Sequence, residues 1–307
     1  MIFNLTHYDL DGIVSHMILS HLTKDVRFFA TTYGKRMNNT IESMLDLAEQ
    51  ECPKGIIVTD LSLTEEQFNI LNDSKIPFLI FDHHQNSLQY IGKKKGLISE
   101  EKCGSALVFD YYDEKLKKLS IYEDLKRLVY LTNDYDMWYL SDKKSYYLNL
   151  LFWRYKEKKF VKKFYNGFVE FDKKDKFYIK DEINKKRNLI ESGYLLFLGE
   201  NNEFICLIHD KAHTVASDFK LYVKGHKIYC TFSRSNYSMS IRWNGIEPNL
   251  NIPMLLEPWI HEWDNYIHSF GGHPFAASIQ FDRSILFATE TFSKITQKIF
   301  LSFMPYL

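Results

Sequence analysis

Two spacings of apolar residues alternate through the first 82 positions. MIFNLTH opens with a short apolar run, and GIVSHMILSHL then carries its apolar residues at helical intervals. VRFFATTY is strand-like and MNNTIESMLDLAEQ helical. GIIVTDL, EEQFNILNDS and IPFLIFD repeat the order strand, helix, strand. Such alternation predicts a parallel sheet with covering helices, because parallel neighbours need a crossover between them. The strand segments show little polar alternation, as expected of a sheet buried on both faces.

From Gly104 to about Arg154 the spacing is mostly helical, clearest in SALVFDYYDEKLKKL and IYEDLKRLVYLTN. The lysine-rich stretch KFYNGFVEFDKKDKFYIKDEINKKRNLI interleaves Asp and Glu with Lys, which predicts a solvated connecting helix and not a nucleic-acid patch. Strand-like segments resume in YLLFLG, EFICLIHD, HKIYCTFSR and YSMSIRW, the last two joined by a tight turn at Ser235 and Asn236. The fold class expected is α/β, with an N-terminal parallel-sheet domain over 1–165, a helical linker over 166–193 and a smaller C-terminal α/β domain over 194–307.

Composition narrows the chemistry. The 307 residues hold 39 Lys+Arg against 39 Asp+Glu, so no basic coat marks a long nucleic-acid track, and an anionic ligand must be held locally. The four cysteines are far apart in sequence and form no C-x-x-C pair. They read as reduced thiols, which together with a short N-terminal apolar stretch and no membrane-length apolar run leads to the expectation of a cytoplasmic protein with no membrane partner.

The strand candidates end in unusual company. NLTHYDLDG supplies His7, Asp9 and Asp11; IIVTDLS supplies Asp60; FLIFDHH supplies Asp82, His83 and His84. In a parallel sheet these carboxyl ends share one edge, where open α/β folds place ligands. Asp11 or Asp60 alone could be a helix cap. Caps, however, do not select His, and several carboxylates together repel unless a cation joins them. Mixed His/Asp ligation suits a transition metal such as manganese.

In order, HYDLDG, VTDLS, DHH and NDYDMW resemble the four motifs of the DHH phosphoesterases, and GSA at 104–106 resembles the small-residue motif that follows them. SFGGHPFAAS and SMSIRW are similar to the glycine-rich and arginine-bearing segments of the associated C-terminal domain found in RecJ exonucleases and nano-RNases. The length and the Y-D-x-W motif look most like the nano-RNase B branch. The resemblance implies two manganese ions, with magnesium as an alternative: His7, Asp9 and Asp60 at one, and Asp11, Asp60, His83 and either Asp134 or Asp136, with Asp136 favoured, at the other. Asp82 would support the site from behind and His84 would face the phosphate. Arg242 would bind phosphate, and Ser105, Gly271, Gly272 and His273 would hold substrate, with His273 fixing the terminal group.

Two positions depart from the family pattern: Phe270 and Ser278 stand where glycines are usual. Phe270 is either a stacking face for a base or packing in the loop. His273 before Pro274 could instead begin a helix. The expected activity is manganese-dependent phosphodiester hydrolysis that releases mononucleotides from short single-stranded RNA or DNA. Alternatives are a linear or cyclic dinucleotide phosphodiesterase, a longer single-strand exonuclease, and a nucleotide-binding module without catalysis. Expected partners are short oligonucleotides or dinucleotides, and oligomerisation is left open.

Overall fold

A computed structural model describes residues 1–93, 95–244, 250–260, 266–273, 276–282 and 289–306. The chain divides into two units, Met1–Ile179 and Lys180–Leu307. The first contains β1 (Ile2–His7), α1 (Leu10–Leu22), β2 (Val26–Thr31), α2 (Lys35–Glu51), β3 (Ile56–Thr59), α3 (Glu65–Asp73), β4 (Phe78–Asp82), β5 (Lys95–Ile98), α4 (Gly104–Leu116), α5 (Tyr122–Asp136) and α6 (Lys143–Phe164). The five strands pair in parallel in the order β2-β1-β3-β4-β5. Every residue of β3 is buried, and all but one of β4, which explains their unbroken apolar sequence.

Strand order places the site. From β1 the chain moves outward to β2, then returns to lay β3 on the other flank, so the two crossovers diverge between β1 and β3. A crevice opens at such a switch point outside the strands' carboxyl ends. The backbone there ends in His7 on β1 and Asp60 just past β3. One side of the sheet packs Phe3, Leu5, Val58 and Ile80 against Met37, Ile41, Met44 and Leu71 of the covering helices. A buried polar row crosses β1 and β3: Asn4 Nδ2 donates to Ile57 O at 3.0 Å, and Thr59 Oγ1 donates to Thr6 Oγ1 at 2.7 Å. Each of these polar groups therefore has a partner despite its burial.

The unit boundary falls inside α7 (Lys173–Ser192). Beyond it come β6 (Tyr194–Leu198), β7 (Phe204–His209), α8 (Phe219–Tyr222), β8 (Ile228–Ser233), β9 (Ser238–Trp243), α9 (Ile252–Ile260), β10 (Ile267–His273), β11 (Ala276–Phe281) and α10 (Thr289–Phe303). The strands form a mixed sheet, β10-β11-β9-β8-β7-β6, in which only β7 and β8 run parallel. The fold is α/β, as expected. The turn after β8 differs from its reading: Ser233 pairs with Ser238, so the connection is four residues long and not two. His273 ends a strand and does not begin a helix; Pro274 lies outside the described residues. Among the described residues no helix is long and apolar enough to cross a membrane.

Candidate metal centre

Asp9 is the N-cap of α1, its Oδ1 accepting from Gly12 N at 3.0 Å, while its Oδ2 lies 2.7 Å from His7 Nδ1. One carboxylate oxygen of Asp9 thus caps the helix while the other faces His7. Asp11 follows in the first turn of α1. Its Oδ1 accepts from Ser105 N at 2.9 Å, at the start of α4, where the helix end favours an anion.

Asp60 leaves β3 with φ at 53°, in the left-handed region that a non-glycine residue avoids. Its N–H nevertheless continues the ladder, donating to Phe81 O at 2.9 Å. The sheet therefore holds the strained conformation, which delivers the carboxylate to the edge. Gly104 packs directly over it: a Cβ on Gly104 would lie 2.9 Å from Asp11 Oδ2 and 3.1 Å from Asp60 N. Only glycine lets α4 come that close.

Around Asp60 the imidazoles close in. His83 Nε2 lies 3.4 Å from Asp60 Oδ1 and 3.3 Å from Asp136 Oδ2, and His7 Nδ1 lies 3.8 Å from Asp60 Oδ2. Three sets of ligand-type atoms each fall within 4.8 Å of one another: His7, Asp9 and Asp60; Asp60, Asp82, His83 and His84; and Asp11, Cys103 and Asp136.

The electrostatics are those of crowded anions. Burial first, then Asp9 and Asp11, push the Asp60 carboxyl well above the usual carboxylate range. Burial likewise pushes Asp136 up to about 7, with His83 opposing and Asp11 and Asp9 adding to the rise. Burial acts against the charged form of His7 and His83, yet neighbouring carboxylates, Asp9 for His7 and Asp136 for His83, raise both. Asp9 is held low by His7 against the effect of its burial. Asp11 Oδ2, Asp60 Oδ2 and Asp136 Oδ2 are buried without a hydrogen-bond partner. Unpaired buried carboxylate oxygens facing imidazoles fit a cation, which would satisfy them and remove the repulsion.

Behind this set, Asp82 is fully buried; its Oδ1 lies 2.7 Å from His84 Nδ1 and its Oδ2 accepts from Ser87 Oγ. His84 and Ser87 hold it below its ordinary value against burial. Asp134 turns elsewhere. It accepts from Ser141 N at 3.0 Å, from Ser141 Oγ and from Asp142 N at 3.1 Å, closing the loop after α5. Of the two aspartates left open by the sequence, Asp136 is the one beside His83. Ser105, expected to touch substrate, has no exposed surface; it contributes its backbone N–H to Asp11, and its hydroxyl lies 3.3 Å from Cys103 Sγ.

In the second unit Arg242 lies on β9. Its Nε donates to Ala216 O at 3.0 Å and its Nη2 to Ser217 Oγ at 3.3 Å. Lys220 nearby is depressed to about 8 by burial and by the Arg242 charge. Strand register aligns Arg242 with Ala276, and Ala276 with His273, so these backbones share one row of the sheet; the side chains of residues 271–273 lie outside the described set. Phe270 is half-buried and packs on the hydrophobic core of this unit.

Two residues at the first unit's site were missed in the sequence. Cys103 is buried against Asp11 and Asp136, and burial with these charges pushes its thiol well above the usual range. Tyr33 stands just past β2, its hydroxyl 3.2 Å from His84 Nε2. The one available signal was position, since β2 ends on the same sheet edge as the other strands.

Residues 1–132 match the family described as DHH family, N-terminal domain. A curated relative, the 3',5'-cyclic-nucleotide phosphodiesterase of Helicobacter pylori (strain ATCC 700392 / 26695), is 23% identical over 154 residues, covering 45% of this chain. The match spans 43%, less than half, of that relative's own length. Among solved structures, a DHH domain described as belonging to a family of ribosomal proteins is similar at a TM-score of 0.64, with 12% identity over 96% of this chain and 86% of that one. RecJ from Thermus thermophilus in complex with Mn2+ is similar at 0.56, with 13% identity over 97% of this chain and 52% of that one. At these identities the structural likeness speaks for the fold. The sequence match speaks for a likeness in the first unit: residues 1–132 are similar to the N-terminal domain of the DHH family.

Proposed function

We propose that the chain is a divalent-metal-dependent phosphodiesterase that releases mononucleotides from short single-stranded RNA or DNA. The observation that carries this reading is the trio of buried, unpartnered oxygens, Asp11 Oδ2, Asp60 Oδ2 and Asp136 Oδ2, at the switch-point edge of a DHH-like domain. His7, Asp9 and Asp60 would hold one ion; Asp11, Asp60, His83 and Asp136 would hold a second, with Asp60 common to both. Mixed imidazole and carboxylate donors suit manganese, the ion in the RecJ structure, and magnesium is the alternative. When bound, a pair of such ions supplies positive charge and activates water for attack at phosphorus.

The chain's own groups do the rest. Asp82 fixes the His84 ring through Nδ1, and Tyr33 meets it at Nε2, so the ring is held at the edge where the phosphate would lie. Asp9 holds the His7 ring through Oδ2, and its own position is fixed by the cap that Oδ1 makes on α1. In the second unit Arg242 would offer a forked, permanent cation to phosphate, and the Gly271–His273 segment would hold the substrate end. The balanced net charge supports short substrates, because tracking a long strand needs a basic groove.

A second reading is hydrolysis of a 3',5'-cyclic nucleotide, favoured by the name of the H. pylori relative. One experiment separates the two. Manganese-supplemented protein is incubated with end-labelled single-stranded oligomers from dinucleotide upward and, in parallel, with 3',5'-cyclic nucleotides, each with and without chelator. Release of mononucleotides from the shortest oligomers, abolished by chelator, is the expected result. Turnover of cyclic nucleotides alone would select the second reading, and full activity in chelator would overturn both.

A further inference from the structure

We propose that the exposed ring of Tyr33 is a nucleobase platform, fixed beside His84 so that a nucleotide whose phosphate reaches the site lays a base against it. This deepens the phosphodiesterase reading and rests on it for where the phosphate lies.

Three contacts hold the ring in place. Its hydroxyl accepts from Ser62 N at 3.3 Å and lies 3.2 Å from His84 Nε2. The imidazole of His84 is itself fixed on its other side, with Nδ1 2.7 Å from Asp82 Oδ1, so the phenol rests on a ring that is held in place. The ring itself leans on the His7 imidazole, with centroids 5.5 Å apart, and stands edge-on to His84 at 5.9 Å. With its hydroxyl committed to Ser62 and His84, what Tyr33 presents to solvent is its hydrocarbon ring, and the residue is 45% exposed.

An exposed aromatic at a strand end is ordinary. One held by Ser62 and by two groups expected to bind metal and phosphate, His7 and His84, is not. A ring already fixed loses little freedom when a ligand stacks on it, the condition under which an aromatic contact yields affinity. A nucleobase suits it, since every base has a π-face and stacking tolerates any sequence. Phosphate and base are joined by a single sugar, so a phosphate at His84 brings a base within reach of a ring centred 5.9 Å from the imidazole.

The test is calorimetric binding, in manganese buffer, of two probes that share a sugar phosphate and differ by a base: adenosine 5'-monophosphate and ribose 5-phosphate. Wild type should bind the nucleotide about tenfold or more tightly over the sugar phosphate. Tyr33→Phe and Tyr33→Trp should keep that preference. Tyr33→Ala should weaken the nucleotide by about tenfold and the sugar phosphate by no more than about twofold. Tyr33→Leu, which retains bulk without a π-face, should behave like the alanine variant and guards against a folding defect in it.

The platform is overturned if wild type does not distinguish the probes, if Tyr33→Ala leaves the nucleotide unchanged, or if it weakens both probes alike. Oligonucleotide hydrolysis by wild type is measured beside the binding. Hydrolysis without any Tyr33 effect removes the platform and keeps the phosphodiesterase. Base-dependent binding through Tyr33 without hydrolysis of any oligonucleotide removes the phosphodiesterase and keeps the platform.

Discussion

Asp136→Asn should stabilise the metal-free protein, and the amount can be worked from the site. Asp136 is buried among Asp11 and Asp9 with one oxygen unpartnered, and its carboxyl is pushed up to about 7 from an ordinary 3.8. A rise from 3.8 to about 7, at 1.36 kcal/mol per tenfold, disfavours the ionised folded form by on the order of 4 kcal/mol. The side chain is 23% exposed, so solvent takes part of this, leaving about 1–3 kcal/mol. The sign follows from proton counting. Between pH 3.8 and about 7 the folded state binds more protons than the unfolded, so stability is full below the lower value and falls as pH rises to the upper. Asparagine has no charge to impose and should remove that fall. In chelator at pH 8 the variant should melt roughly 3–10 °C above wild type for a unit of this size, and at pH 4 the two should coincide. Manganese should reverse the order at pH 8, raising wild type far more than the variant, because the variant lacks a donor. Thermal melts at both pH values, with chelator and with manganese, decide it. Equal or lower melting of Asp136→Asn in chelator at pH 8, or a difference that persists unchanged at pH 4, would refute the crowded-carboxylate account.

Three further outcomes are expected. Gly104→Ala places a methyl 2.9 Å from Asp11 Oδ2, so manganese affinity should fall about 10–100-fold, as for loss of a group that orients ligands; unchanged affinity in a metal titration would remove the close approach from the site's design. His16, whose ring lies against Phe28 and near Asn4, is depressed to about 4 by burial, so the unfolded chain protonates first as pH falls below 6.5 and stability is lost from there downward; His16→Gln should recover up to about 3 kcal/mol at pH 4 in denaturant titrations, and an unaltered acid limb would count against it. Phe270→Ala should lower the melting temperature through the loss of about 2 kcal/mol of packing on the second unit's core while leaving nucleotide affinity intact; the reverse pattern would make Phe270 a stacking face after all.

The strand ends at His7, Asp60 and Asp82 were legible because each is an apolar run broken abruptly by groups that a buried strand does not otherwise carry. Which aspartate of motif four faces the site was not, for a geometric reason. Asp134 and Asp136 share the last turn of α5, and residues two apart on a helix point about 200° apart, so spacing alone leaves the phase open. The fold sets Asp136 beside His83 and uses Asp134 to close the loop at Ser141 and Asp142. β5 went unread because it is a four-residue edge strand, KGLI, with a lysine at its start and Gly96 at φ 126° where a Cβ would meet Ile80 O at 2.0 Å. Such edges are short and charged to resist further pairing, which erases the apolar signature of a strand. Tyr33 was invisible for another reason: its place depends on Ser62 and His84, 29 and 51 residues away, and no local pattern encodes that meeting. At Ser105 the sequence marks the motif, but it does not show that the backbone N–H, common to every residue but proline, is what reaches Asp11.

Several costs of this fold gather at one place. A left-handed aspartate at position 60, a helix brought so close that only Gly104 fits, and three carboxylate oxygens buried without partners all sit at the carboxyl ends of β1, β3 and β4. Elsewhere in the same unit the buried polar groups Asn4, Thr6 and Thr59 are hydrogen-bonded to one another across the strands. A fold that satisfies its polar core in one row and leaves the next row of acids unsatisfied is not failing to pack. Strain and unpaired charge of this kind persist only where the surroundings enforce them, and they are tolerated where a ligand relieves them. The donor types then limit the ligand: imidazole nitrogens and carboxylate oxygens converging on Asp60 call for a cation. The stability withheld from this edge is thus the free energy available to select and retain that cation, which is why the melting experiment in chelator and the metal titration read the same quantity from opposite sides.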